Sequence, residues 1–306
     1  MAAQADAWPE LPLEAWQDTY DTLHMWTQIV GKIRMTLTPL INHWWNVTLY
    51  VSARGLTTSP IPYGRGIFEM RFDFLNHKLV IETSGGATKT LELAPRSVAD
   101  FYRELMSTLH SLGIDVEIHT TPDEVSNPIP FEQDQVHKSY DRSSVERFFR
   151  ILVSVDTVLK DFRARFIGKC SPVHFFWGSF DIAVTRFSGR LAPPRPDPMM
   201  QEAYSHEVSS AGFWPGGGEI KGPAFYSYTA PEPPGIRNYS IRPAGALFHP
   251  GVSEFILMYD DVRNQASPES EIMEFLQSTY EAGANLAKWD RAALERPASG
   301  AVAQKE

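Results

Sequence analysis

Hydrophobic positions along the chain switch between two periods. Leu23, Trp26, Val30, Ile33 and Leu37 recur every three or four residues, as do Val145, Phe148, Leu152, Val155, Leu159, Phe162 and Phe166, which is the spacing of one face of an α-helix. Ser143 followed by Glu146 forms a capping box at the start of the second run. Each helical stretch leads into an extended one. Asn42-His43-Trp44-Trp45 opens the first and Val173-His174-Phe175-Phe176 the second, with an offset of 131 residues between His43 and His174. At that offset Leu49, Val51, Ala53 and Leu56 fall on Phe180, Ile182, Val184 and Phe187. The first three of each set alternate with Thr48, Tyr50, Ser52 or Ser179, Asp181, Ala183, the period of a strand with one face in a core. Further strands are predicted over Gly66 to Phe74, Leu79 to Thr83, Ala224 to Thr229 and Glu254 to Tyr259. Ser97-Val98-Ala99-Asp100 starts a helix that ends near Gly113, and Ser267-Pro268-Glu269 starts its counterpart.

Each half therefore reads helix, antiparallel strands, helix. The expected fold is α+β, two tandem repeats about a pseudo-twofold axis: residues 8–120, a connecting loop at 121–142, a second repeat at 143–291 and a disordered tail at 292–306. The offset grows to 171 between Ser107 and Ser278, which places about 40 extra residues in the second repeat, between Leu191 and about Gly245. Ala192-Pro193-Pro194-Arg195-Pro196-Asp197-Pro198, Gly216-Gly217-Gly218 and Pro231-Glu232-Pro233-Pro234-Gly235 mark this insertion as irregular. Phe213-Trp214 and Phe225-Tyr226-Ser227-Tyr228 make it too aromatic for a solvated linker, so its loops are expected to fold back over the protein.

Composition narrows the class. With 43% hydrophobic, 21% charged and 12% aromatic residues in 306, the chain is globular. A net charge of −9 repels a phosphate backbone and speaks against a nucleic-acid partner. A single cysteine, Cys170, forms no intrachain disulfide and points to a reducing compartment. No basic segment precedes an apolar one at the N-terminus and no membrane-length apolar run occurs, so the expectation is a soluble cytoplasmic protein without a membrane partner.

The usual catalytic signatures are missing. Among nine histidines there is no His-Glu-x-x-His, His-x-His or His-x-Asp pair, and His206-Glu207, the nearest approach, would point to opposite faces of a strand. Gly-x-Ser-x-Gly and the phosphate-binding Gly-x-x-x-x-Gly-Lys-Ser/Thr are absent, and Cys170 reads as a small buried residue. No metal or cofactor is expected. What remains is a basic edge: Arg186 and Arg190 lie where the core strand meets the insertion and suit a carboxylate or phosphate, unless they pair with Asp181, Glu207 or Glu232. Trp214, Tyr226 and Tyr228 offer an apolar wall with polar tips, Glu232 lies in the same segment, and His206 or Glu207 could transfer a proton if buried there. A second row, His24, Gln28 and Lys32, is stacked at four-residue spacing opposite the apolar stripe of the first helix. Either it is a solvated face, or it lines an inner cleft among Met25, Trp26, Trp44 and Trp45.

Leu23-His24-Met25-Trp26-Thr27-Gln28-Ile29-Val30-Gly31-Lys32, Asn42-His43-Trp44-Trp45 and Arg54-Gly55-Leu56-Thr57-Thr58 resemble bacterial proteins of the domain of unknown function 5996 family. Phe176-Trp177-Gly178-Ser179-Phe180-Asp181, Thr185 to Arg190 and Gly212-Phe213-Trp214-Pro215-Gly216 extend the resemblance to about residues 8–291. It implies one integral unit and brings no activity, cofactor or site residue.

The expected function is binding of a small, anionic and partly apolar organic ligand in a cleft between the repeats, lidded by the inserted loops. Cofactor-independent acid/base or hydrolytic chemistry would use His206 or Glu207, with Arg186 and Arg190 on the anion. The alternative is a non-catalytic interaction protein, or a homodimer clasped by the Trp8 to Trp16 segment.

Overall fold

The computed structural model describes residues 7–297. They form two compact units, the first running to Val153 and adding His174–Asp181, the second built from Ser154–Val173 and the chain from Ile182 onward. Both contain helices and an antiparallel sheet, an α+β architecture.

In the first unit, helix α1 (Gln17–Leu37) runs unbroken because nothing from Gln17 to Leu37 is a proline, and it stops at Thr38, before Pro39. Its apolar stripe is buried from Leu23 to Ile33 and half-buried at Leu37, and Trp26 stacks on Phe101 and Tyr140 at ring-centre distances of 4.7 and 5.5 Å. The polar side is buried as well, so the reading of His24, Gln28 and Lys32 as a solvated face is overturned. Strands β1 (Tyr50–Ser52), β2 (Gly55–Thr57), β3 (Ile61–Tyr63), β4 (Gly66–Asp73), β5 (Lys78–Thr83) and β6 (Thr88–Glu92) form a sheet in the order β1-β2-β4-β5-β6, with β3 beside β4. Met70 pairs with Ile81, Phe72 with Leu79 and Leu79 with Leu91, which lays one continuous apolar face into the core. Helix α2 (Val98–Ser111) starts where the Ser97 hydroxyl accepts the Asp100 N–H and ends before Gly113, whose φ of +72° suits glycine. Residues 114–141 contain no helix or strand beyond the 3₁₀ turn Phe131–Gln133.

Helix α3 (Arg142–Ala164) begins differently from its expected capping box. Asp141 takes the Ser144 N–H and the Ser143 hydroxyl, which frees Glu146 to bond His77 Nε2 at 3.2 Å. The stretch predicted as one strand from His174 to Phe187 is broken: β7 (His174–Phe176) bridges to Leu49 through Phe175, and a turn at 177–180, with Phe180 at φ +59°, precedes β8 (Asp181–Leu191). Trp8, Leu11, Leu13 and Trp16 are buried in this chain's own core, with Trp16 against Tyr20 and Phe148, so the segment expected to clasp a second copy is already packed.

The second unit continues through α4 (Pro198–Ala203), β9 (His206–Trp214), β10 (Ala224–Ala230), β11 (Leu247–His249), β12 (Glu254–Met258), α5 (Tyr259–Arg263), α6 (Pro268–Leu286) and α7 (Arg291–Leu294). Its strands pair in the order β11-β12-β10-β9-β8. Part of the presumed irregular insertion is therefore central sheet, since β9 lies between β8 and β10. One sheet face meets α6 so closely that a methyl group on Gly283 would stand 1.9 Å from Thr229 Oγ1. On the other face Ile220, from the loop between β9 and β10, packs with Ala224 and Ile256 beside Trp214 and Tyr226. Of the tail expected to be disordered, residues 292–297 are described and structured: Glu295 binds Arg291 and the Tyr280 hydroxyl. Residues 298–306 of that expectation lie outside the described residues.

Candidate functional site

Strand parity decides the fate of the residues predicted in the second unit. Arg186 opposes Ser209, which opposes Thr229, so Arg186 shares the helix-covered face. It is 1% exposed, and its guanidinium lies 3.4 Å from the ring centre of Phe162, 4.4 Å from Tyr280 and 5.1 Å from Phe166. It donates to the Phe162 carbonyl, its Nε has no hydrogen-bond partner, and burial brings its pKa down to about 10. Cys170 bridges to Arg186, and burial pushes its thiol up to about 11, away from the thiolate that nucleophilic chemistry needs. Arg186 is thus a plug in an aromatic cage.

Arg190, four residues on, would share that face in a regular strand. A register shift between Phe187 and Leu191, with Gly189 at φ +86°, instead turns it out to solvent. There its Nη2 donates to Glu207 Oε2 and to the Ala287 carbonyl, both at 2.6 Å, which ties β8 and β9 to the C-terminus of α6. Glu232 is held by Arg237 at 2.7 Å, whose hydrogen bonds pull its carboxyl below the ordinary range. Tyr226 and Tyr228 stack at 6.3 Å on the opposite sheet face from Arg186, with Tyr226 lying across Gly212. Tyr228 shares a 2.9 Å hydrogen bond with Tyr204, and burial raises its phenol far above the usual value. Trp214 packs into the apolar cluster around Ile220. His206 lies 3.1 Å from the Ser205 hydroxyl while the neighbouring Glu207 is committed to Arg190. The arginines, tyrosines and His206-Glu207 do not converge. An open surface recess of about 490 Å³ in the first unit, near Met106, His110 and Glu117, includes none of the predicted residues.

The row on α1 does gather. His24 Nε2 is 2.8 Å from the Gly178 carbonyl, which only an N–H approaches so closely, and 3.1 Å from Gln28 Nε2. Gln28 donates to the Asp123 carbonyl and accepts the Asp123 N–H, both at 2.8 Å. Lys32 donates to the Thr121 carbonyl at 2.9 Å and pairs with Asp123 Oδ2 at 2.8 Å. Lys32 is 1% exposed, whereas the side chain of Asp123 is 44% exposed. Gly31 permits Trp177 to lie against the helix between these residues, since a methyl group there would be 2.3 Å from the indole.

Opposed titrations surround this row. Burial drives the His24 imidazole down to about 4, keeping it neutral. Glu124, held at φ +54°, turns its carboxyl against Gly178, and desolvation there, with Asp181 and Asp123 nearby, raises its pKa above the ordinary value. Ser179 donates to Asp181 within the same turn. The arrangement offers an ammonium, a carboxamide and a neutral imidazole on one side and a carboxyl that holds its proton more tightly on the other. Sequence reading found the row and missed Asp123 and Glu124, whose only local signal is the Thr121-Pro122-Asp123 turn chemistry, and gave Trp177 and Gly178 no role at the site. Among the described residues no three His, Cys, Asp or Glu side chains gather as a metal site, and no helix is long and apolar enough to cross a membrane.

The fold and this row define a class: an α+β protein of two units, with a helix whose polar ladder is closed over by an irregular strap. Residues 8–296 match the model of a family of unknown function (DUF5996), and the chain belongs to that family. No curated protein and no solved structure matches it.

Proposed function

We propose that the protein binds a small organic anion on the His24–Gln28–Lys32 row. The observation that carries this reading is the burial of Lys32, whose counter-charge comes from a half-exposed carboxylate on a segment without regular structure. Burying an ammonium costs several kcal/mol after relaxation, and an apolar residue would fill the same helix position without that cost. A lysine retained there, beside a carboxamide and a neutral N–H donor, suits a carboxylate. Acid/base chemistry, if it follows, falls to His24 and Glu124 in place of His206 and Glu207. The test is calorimetric titration of the protein and of Lys32→Met with succinate, glutarate and inorganic phosphate. Saturable binding abolished by Lys32→Met supports the proposal; heats indistinguishable from dilution for all three ions overturn it.

The same proposal reads the chain as a duplication, supported by the matching order of long helix, sheet of successively paired strands and closing helix, and as cytoplasmic, supported by its lone cysteine. A second reading, a homodimer or interaction protein, is favoured by exposed Leu191, Met199 and Met200 at the end of β8 and on α4. Light scattering that gives the mass of one chain at high concentration overturns the homodimer.

A further inference from the structure

Gln28 and Lys32 hold more than a carboxylate; they hold one complete amino-acid residue. The Gln28 carboxamide answers both main-chain groups of Asp123, giving an N–H to its carbonyl and taking the N–H of its amide, each at 2.8 Å. Lys32 answers the side-chain carboxylate of the same residue at 2.8 Å and the carbonyl two residues earlier at 2.9 Å. Together the two side chains read an aspartyl residue within a chain: its amide N–H, its carbonyl, its side-chain carboxylate and the carbonyl of the second residue before it. A carboxamide paired with both polar groups of one residue mimics the exchange of hydrogen bonds between strands, which gives affinity for an extended peptide unit whatever its side chain. The ammonium then supplies the choice of an acidic one.

The residues seated on the row belong to a segment with no helix or strand of its own, between Gly113 and the 3₁₀ turn at Phe131. Asp123 keeps 44% of its side chain exposed, so its groups are bound from one side and open to water on the other. Glu124, the next residue, sits at φ +54°, a conformation a non-glycine residue holds only at an energetic cost. Thr121-Pro122-Asp123-Glu124 is placed on the row as a ligand would be.

Resting on the anion-binding reading above, we infer that the row recognises an N-acylated acidic amino acid, free or within a peptide, and that residues 121–124 are an internal occupant which such a ligand displaces. Displacement by a peptide with two residues before the aspartate restores all four hydrogen-bond partners, and a single N-acylated residue restores three of them, the carboxylate included, so the buried ammonium is never left without a counter-charge.

The test uses the full chain with four probes: N-acetyl-aspartate methylamide, its asparagine counterpart, succinate, and the peptide acetyl-Thr-Pro-Asp-Glu-amide. Calorimetry on the natural protein and on Asp123→Gly is expected to show the aspartyl probe binding the variant about tenfold more tightly, because an internal competitor that fills the site roughly nine-tenths of the time has been weakened. The asparagine probe should bind at least about tenfold more weakly than the aspartyl one, as expected for a lost charge-assisted contact. Comparison of the peptide with the single-residue probe tells whether flanking residues add affinity: a tighter peptide assigns the site to peptides, equal affinity assigns it to the free acylated amino acid, and either supports the inference. Succinate binding as tightly as the aspartyl probe overturns this inference and leaves the anion site standing, whereas no binding by any probe overturns both. Should Asp123→Gly fail to fold, amide hydrogen exchange on the natural protein decides: the Asp123 N–H, bonded to Gln28, must exchange faster when the aspartyl probe is added, and an unchanged or slower rate overturns displacement.

Discussion

Acidification should weaken this protein through His24 in a way that can be isolated. The folded ring titrates near 4 because burial opposes its charge more strongly than the Gly178 and Trp177 carbonyls favour it, and His137 adds to the opposition. In the unfolded chain the same ring titrates near 6.5. Between those values the unfolded state binds a proton that the folded state refuses, so the contribution is intact above the unfolded pKa and is lost as pH falls toward the folded one. Proton linkage over the interval from about pH 7 to about pH 4.5 amounts to roughly 2.5 kcal/mol. Glu124, Asp21 and Asp156 work in the other direction, because burial raises their carboxyl pKa values and the folded state takes up protons first. The measurement is therefore a difference between the natural protein and His24→Asn, which removes the ring and keeps a polar side chain. Urea unfolding followed by tryptophan fluorescence at several pH values should find the stability gap between the two shrinking by about 2–3 kcal/mol as pH falls. A gap that stays constant, or a His24 ring resonance that titrates near 6.5, would refute the reasoning and mean that water reaches the imidazole.

Other consequences are open to measurement in the same way. Lys32→Met should leave stability within about 1 kcal/mol of the natural protein or raise it, because the half-exposed Asp123 can be hydrated once its partner is gone, while anion binding disappears; thermal denaturation and calorimetry read the two effects separately. Arg186→Ala should cost about 3–5 kcal/mol by emptying the space among Phe162, Phe166 and Tyr280, and Arg186→Met should recover most of it, since the flexible thioether fills the cage without a buried charge; denaturant midpoints compare the pair. Gly283→Ala should destabilise by about 1–3 kcal/mol as the added methyl meets Thr229, and Thr229→Ala should restore part of that loss in a double-mutant cycle.

Most helices and hairpin strands were legible from period and capping, because their signals are local. Phe68, Met70 and Phe72 in β4, and Leu79 and Ile81 in β5, alternate with less buried neighbours since each strand has one covered face. Strand β9 was not legible. Val208, Ser209, Ser210, Ala211 and Gly212 are buried on both faces of an interior strand, so alternation vanishes and the small residues read as a loop. Asp141 displaced Ser143 as the cap of α3 for a reason equally hidden, namely the bond that draws Glu146 to His77, 69 residues away. The parity of β8 failed at its bulge, and with it the pairing of Arg186 with Arg190 on one face.

The row itself was legible as a spacing, and its burial was not, since its partners come from positions 95 and 154 residues distant in the chain. That distance also separates the two buried cations. Arg186 is held by three rings and a carbonyl carried on α3 and α6 or just beyond α3, groups that cannot leave without taking the core with them. Lys32 is satisfied by a carboxylate and a carbonyl on an irregular strap, groups whose departure would leave α1 and the sheet in place. A buried charge can take part in binding only if its partner can be exchanged, and by that criterion the proposed anion binding falls to the lysine and not to the arginine.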